Sequence, residues 1–197
     1  MTDIRPLRDF VRAATDAVAR TPAEADLLPV LRGHLAALVA TDTWLPDDLA
    51  QPHPQFYRQY LLHCDPLERF SVVSFVWGPG QQTPVHDHTV WGLIGMLRGQ
   101  ERSQPFGPDA SGAMVAQGEA TLLRPGQVEA VSPTLGDIHQ VSNALDGQVS
   151  ISIHVYGANI GAVHRWVYAA DGTRKPFVSG YSNTTLPNLW DRSKEGA

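Results

Sequence analysis

Two hydrophobic periods divide the chain. From about Asp3 to Arg20 apolar positions recur every three or four residues, with Ile4, Leu7, Phe10, Val11, Ala14 and Val18 on one stripe. That is the period of a helix with one buried face. Thr21-Pro22-Ala23-Glu24 then reads as a capping-box start with proline at the first helical position, and Leu31, Leu35, Leu38 and Val39 carry an apolar face to about Ala40. Proline removes an amide donor and crowds the preceding turn, so Pro29 is expected to kink or divide this second helix. Trp44 to Pro54, rich in proline and aspartate, reads as a loop. Beyond it the period becomes two. Phe56–His63, Phe70–Trp77, Gly92–Leu97, Ala120–Arg124, Gln148–Tyr156 and Val163–Tyr168 read as short strands punctuated by Gly, Pro and Asp. The pattern predicts an all-β fold, a jelly-roll β-barrel at about 55–170 with an N-terminal helical extension at about 1–42, in a single domain over 1–197. A barrel lumen is concave, so inward-facing side chains from different strands can converge in it.

Composition narrows the class of partner. A chain of 197 residues with 43% hydrophobic content can build one substantial core. The net charge of −5, with no Lys/Arg cluster, argues against nucleic acid or an anionic membrane and for a small-molecule partner caught locally. A single cysteine, Cys64, leaves no disulfide framework and no cysteine-rich zinc site, and suits a reducing compartment. No apolar run is long enough to span a membrane and the first residues lack the apolar run of a signal peptide, so the cytoplasm is the expected location.

The candidate chemistry lies in three short segments. Pro84 and the surrounding glycines argue that a turn feeds a short strand at His86-Asp87-His88, on which both imidazoles point one way and Asp87 the other. Gly136-Asp137-Ile138-His139 supplies a third imidazole after a turn. Three neutral imidazoles without a carboxylate would leave open positions on a divalent metal, as a catalytic site requires. In Ser152-Ile153-His154-Val155-Tyr156 alternation places Ser152, His154 and Tyr156 on one strand face, where hydroxyl, imidazole and phenol can form a hydrogen-bonded row. His63 and His164 have no partner that the sequence names.

Gly80, His86, His88, Gly92 and Gly99, followed by Gly136, His139 and Asn143, resemble the two cupin motifs, with Gly92 where many cupins carry a glutamate ligand. Together with Ser152, His154 and Tyr156, the stretch from about Phe56 to Arg165 resembles the thiol dioxygenases, the cysteine dioxygenase family of cupins. The resemblance implies a cupin-type barrel and Fe(II) held by His86, His88 and His139. It also implies a Ser-His-Tyr relay aimed at the bound ligand, and addition of both atoms of O2 to the sulfur of a small thiol. In animal members the Gly92 position is a cysteine cross-linked to the relay tyrosine, so Tyr156 is expected to be unmodified here. Tyr57-Arg58-Gln59 puts Gln59 where those enzymes carry a carboxylate-binding arginine. This is similar to the bacterial Gln-type subgroup of 3-mercaptopropionate dioxygenases, in which an arginine after the relay tyrosine takes the carboxylate. Arg165 lies at that place. Cysteine or mercaptosuccinate as substrate, a non-catalytic metal-binding cupin, and a zinc-dependent hydrolase or isomerase stay open alternatives. Whether Arg58 or Gln59 faces the cavity depends on strand register.

Overall fold

A computed structural model describes residues 3–21 and 23–192. Helix α1 spans Arg5–Arg20 and α2 spans Glu24–Val39. The stripe read from the sequence is the buried face of α1: Leu7, Phe10, Val11 and Ala14 are buried, with Ile4 and Val18 at the margin of the same cluster. The start of α2 differs from the expected capping box. Its N-cap is Ala23, which offers no side-chain oxygen, while Thr21 closes α1 by donating its amide to Ala17 O at 2.9 Å. Glu24 instead accepts from Thr134 Oγ1 at 2.6 Å. The proline expected at the first helical position, Pro22, lies outside the described residues. Pro29 sits inside α2 without dividing it. Its ring costs one backbone bond, and the buried Leu27, Leu28, Leu31 and Leu35 hold the turns on either side.

Among the described residues twelve strands follow. They are β1 Arg58–Cys64, β2 Ser71–Trp77, β3 Val85–His86, β4 Gly92–Arg98, β5 Glu101–Pro108, β6 Met114–Ala116, β7 Thr121–Leu123, β8 Val128–Val131, β9 His139–Asn143, β10 Ser150–Tyr156, β11 Arg165–Tyr168 and β12 Arg174–Phe177. One antiparallel sheet runs β1-β2-β10-β4-β8; the other runs β12-β11-β3-β9-β5-β6, with β7 also paired to β5. The two sheets form the jelly-roll barrel.

The helices form a layer on the outer face of the five-stranded sheet, with α2 against β4 and β8. The contact is close enough to require glycine at Gly95, where a Cβ would fall 2.9 Å from Leu35 Cγ and 3.0 Å from Val39 Cγ1. Every residue of β10 is buried because both faces of the strand are covered. Ile151, Ile153 and Val155 join the helical cluster on the outer face. Alternation therefore turns Ser152, His154 and Tyr156 into the lumen. Among the described residues no helix is long and apolar enough to cross a membrane.

Candidate metal centre

His86 and His139 are directly opposed across β3 and β9, so their imidazoles share the lumen face. His88 arrives by a different route from the one its spacing suggests. β3 ends at His86, and strand alternation carries no further. Asp137 brings His88 round: its carboxylate accepts from the amides of His88 at 3.1 Å and Thr89 at 2.9 Å, and lies 3.0 Å from His88 Nδ1. The turn is tight enough to hold Thr89 at a φ of 59°. Asp87 points away from the histidines and accepts from the Trp166 amide and the Tyr168 hydroxyl, each at 2.8 Å.

The three rings converge, with centroids 4.9, 5.0 and 4.9 Å apart and potential ligand atoms within 4.8 Å of one another. Each Nδ1 already has an outer partner: Pro84 O for His86 at 3.1 Å, Asp137 for His88 at 3.0 Å and Ser103 Oγ for His139 at 3.1 Å. Partners of this kind fix the tautomer and leave Nε2 to face a metal. Burial, with the neighbouring His88 adding to it, lowers His86 to about 3, and burial with His88 and His86 holds His139 well below its ordinary value. Both rings are therefore neutral donors, the form a divalent metal needs. Burial opposes ionisation of Asp137, but His88 and the two amides outweigh it and keep the carboxyl below its usual range. Asp137→Asn is expected to weaken metal binding roughly 10- to 100-fold while leaving the three ligands in place. A competition titration with a chelator measures this, and an unchanged affinity would deny Asp137 its orienting part.

Across the lumen Ser152 Oγ lies 2.8 Å from His154 Nε2, and His154 Nδ1 lies 2.7 Å from the Tyr156 hydroxyl. The His154 ring stacks on Phe75 with centroids 4.0 Å apart, and the Tyr156 ring approaches His88 at 5.5 Å. Burial pushes the Tyr156 phenol up, so it keeps its proton at any ordinary pH. Burial, then His88 and His86, holds His154 well below its ordinary value. A neutral imidazole carries one N–H, so His154 donates to one neighbour and accepts from the other. Gly92 stands opposite Tyr156, and a Cβ there would sit 3.0 Å from its Cδ1 and Cε1. Cys64 pairs with Ser71, which pairs with Tyr156, so the thiol is two strands away, roughly 10 Å, with Ser71 between.

A cavity of about 180 Å³ opens beside these groups, lined among others by Tyr57, Gln59, His86, Tyr156, Arg165 and Ser179. Gln59 faces it, whereas the Arg58 guanidinium lies over the Phe56 ring at 5.2 Å. Arg165 is 3% exposed. Its Nη2 donates to Ser179 Oγ at 2.6 Å, its guanidinium covers Phe177 at 4.6 Å, and its Nε is buried without a hydrogen bond. Burial lowers its pKa, and Tyr156, Tyr57 and Asp87 act in the opposite sense. A larger cleft of about 640 Å³, lined by Asp9, Arg12, His63 and Trp190, lies on the helical side and includes none of the three histidines. Volume therefore does not mark the site; converging donors do. His164 is exposed and His63 packs on Phe70 with centroids 5.7 Å apart.

Over about half of its length the chain is similar to cysteine dioxygenases. It is 26% identical over 98 residues to cysteine dioxygenase type 1 of Homo sapiens, covering 49% of this chain and 48% of that protein. It is 28% identical over 99 residues to the Rattus norvegicus protein of the same name, with the same coverage of 49% and 48%. The chain thus spans about half the length of the curated relatives it matches. A crystal structure of a Klebsiella pneumoniae protein with a double-stranded β-helix domain superimposes with a TM-score of 0.45. It is 16% identical and covers 66% of this chain and 91% of that one. No protein-family model matches the chain.

Proposed function

We propose that this protein is an iron-dependent thiol dioxygenase that converts a small thiol carboxylate, 3-mercaptopropionate first among candidates, to its sulfinate. The observation that carries the reading is a small cavity on which His86 of the three-imidazole donor set, the protonated Tyr156 phenol and the buried Arg165 guanidinium meet. The similarity to cysteine dioxygenases supports the same reaction class. The donor set fits Fe(II): His86, His88 and His139 would hold it through nitrogen, with no carboxylate and with open positions left. When bound, the iron supplies the activation of O2 and the affinity for the thiol sulfur. The reaction balances without a further reductant, because the thiol and one O2 together contain every atom and electron of the sulfinic acid.

The chain's own residues orient the reactants. Arg165 offers a two-pronged donor to a carboxylate, whose charge would offset the cost of burying an unpaired guanidinium. Gln59 offers only a neutral amide on the same cavity. Among the described residues none that lines the cavity is acidic, so none there favours the ammonium of an α-amino thiol. A cavity of about 180 Å³ suits a substrate of few heavy atoms. Tyr156, oriented by His154 and Ser152, donates a hydrogen bond to the bound reactants, and the apolar rings of Phe75 and Phe177 restrict water. Small thiol and O2 are the partners, with no nucleic acid or membrane, and the cytoplasm is the compartment.

The test is oxygen uptake after anaerobic iron loading, compared across 3-mercaptopropionate, mercaptosuccinate, cysteine and cysteamine. The highest kcat/KM is expected for 3-mercaptopropionate. A preference for cysteine would overturn the substrate assignment, and no uptake with any thiol would overturn the reaction.

A further inference from the structure

Behind the Ser152–His154–Tyr156 row lies a carboxyl group that none of these roles uses. Glu101 opens β5, opposite Asn143 of β9 and Leu123 of β7. It is 1% exposed, and neither of its oxygens makes a hydrogen bond of normal geometry. Ser152, Trp77 and Ser150 are the polar groups beside it; Trp77 Nε1 donates to Ser152 Oγ at 3.5 Å, and the Ser150 hydroxyl is likewise buried without a partner. The titratable groups around it are Glu129 of β8, a second carboxyl, and Tyr156 along the row. From the other packed elements it meets Asn143, Leu123 and Trp77, which carry no charge. An ionised carboxylate so placed is strongly disfavoured, while a carboxylic acid has a proton to give.

We propose that Glu101 is the fourth member of the relay, a positioning residue that donates to Ser152 as a neutral acid and so sets the direction of each hydrogen bond as far as Tyr156. The neutral His154 ring makes this an either-or choice. With Glu101 protonated, Ser152 accepts from it and donates to His154 Nε2; the ring proton sits on Nδ1 and is donated to the Tyr156 oxygen, and the phenol proton is free for the cavity. With Glu101 ionised, Ser152 donates to the carboxylate, the ring proton moves to Nε2, and Nδ1 accepts the Tyr156 proton. The phenol donor is then turned away from the reactants. Burial first, with Glu129 adding, lifts the Glu101 carboxyl to about 8, so the reversal falls within reach of ordinary pH. Only the kinetic consequence rests on the thiol dioxygenase reading; the hydrogen-bond direction does not.

Glu101→Gln tests it, because a carboxamide can donate to Ser152 but cannot ionise. In the wild type kcat should fall roughly tenfold for each pH unit above the Glu101 transition. The variant should show a plateau lowered about threefold and no basic limb at that pH. Independently of turnover, nitrogen NMR of labelled histidine in the zinc-loaded protein reads the tautomer of His154, assigned through His154→Gln. The wild type should pass from Nδ1–H to Nε2–H with rising pH, and Glu101→Gln should stay Nδ1–H throughout. Ser152→Ala, which interrupts the chain without touching Glu101, should also uncouple the tautomer from pH and serves if the first variant does not fold. A tautomer that ignores pH in the wild type, or switches unchanged in Glu101→Gln, would overturn the proposal. Absence of thiol turnover alongside the expected tautomer switch would overturn the reaction and leave the relay direction standing.

Discussion

Purified His139→Ala is expected to contain almost no metal and to show no turnover, while keeping its fold. His139 is one of three donors, and the two that remain cannot enclose one face of an ion. The loss of affinity should exceed the roughly 10- to 100-fold expected for an outer partner such as Asp137. The cost to the apo fold is smaller. Truncation leaves Ser103 Oγ without its 3.1 Å contact, a penalty of about 1–3 kcal/mol, partly relieved because three crowded, desolvated imidazoles become two. Thermal denaturation separates the two effects. Metal at about 100 times its Kd should raise wild-type stability by about 2.7 kcal/mol and leave the variant unmoved. Equal metal content and equal metal-induced stabilisation in both proteins would show that the ion is held elsewhere.

Arg165→Ala is expected to lower kcat/KM for 3-mercaptopropionate by ten- to a hundredfold, the equivalent of about 1.5–3 kcal/mol for a lost charge-assisted contact. The expectation follows from burial without neutralisation. Arg165 is nearly inaccessible, has no carboxylate within ion-pair distance among the described residues, and keeps an unbonded Nε beside the cavity. Removing a charge so placed should cost the fold little, since its desolvation penalty goes with it. Arg165→Lys should recover only part of the loss because an ammonium lacks the planar fork. Arg58→Ala should leave kcat/KM almost unchanged, since that side chain covers Phe56 instead. Cysteamine, which has no carboxylate, is the internal control. A matching loss on cysteamine would mean that Arg165 shapes the cavity rather than binding a carboxylate.

Local pattern and the positions that hid from it account for how much was legible. The α1 stripe and the alternation of β10 could be read because each buries apolar residues on a defined face. β5 could not: it reads Glu-Arg-Ser-Gln-Pro-Phe-Gly-Pro, and its buried positions near the start are Glu101 and Ser103. β8 likewise carries Glu129 among its inner residues. Where inward positions are polar, period two has no hydrophobic signal, so the strands behind the site were the ones missed. β12 is an edge strand with a proline and mostly exposed residues.

The candidate site divides in the same way. His86, His88 and His139 could be named from spacing, but their geometry depends on Asp137, Ser103 and the pairing of β3 with β9, contacts between segments far apart in sequence. Asp137 lies two residues before His139, and nothing in that spacing points to its contact with His88. The same limit applies to Arg58 and Gln59, which occupy opposite faces of β1. Choosing between them needs the register against β2, where Gln59 pairs with Phe75 of the cavity wall.

In the proposed reaction, iron held by three histidines lets this chain place both atoms of O2 on one sulfur. Turnover of 3-mercaptopropionate by the iron-loaded protein under isotopically labelled dioxygen, with mass spectrometry of the product, tests it most directly. The predicted result is a sulfinate carrying two labelled oxygens, with one O2 consumed per thiol. A disulfide product, a single labelled oxygen, or oxygen drawn from water would contradict it.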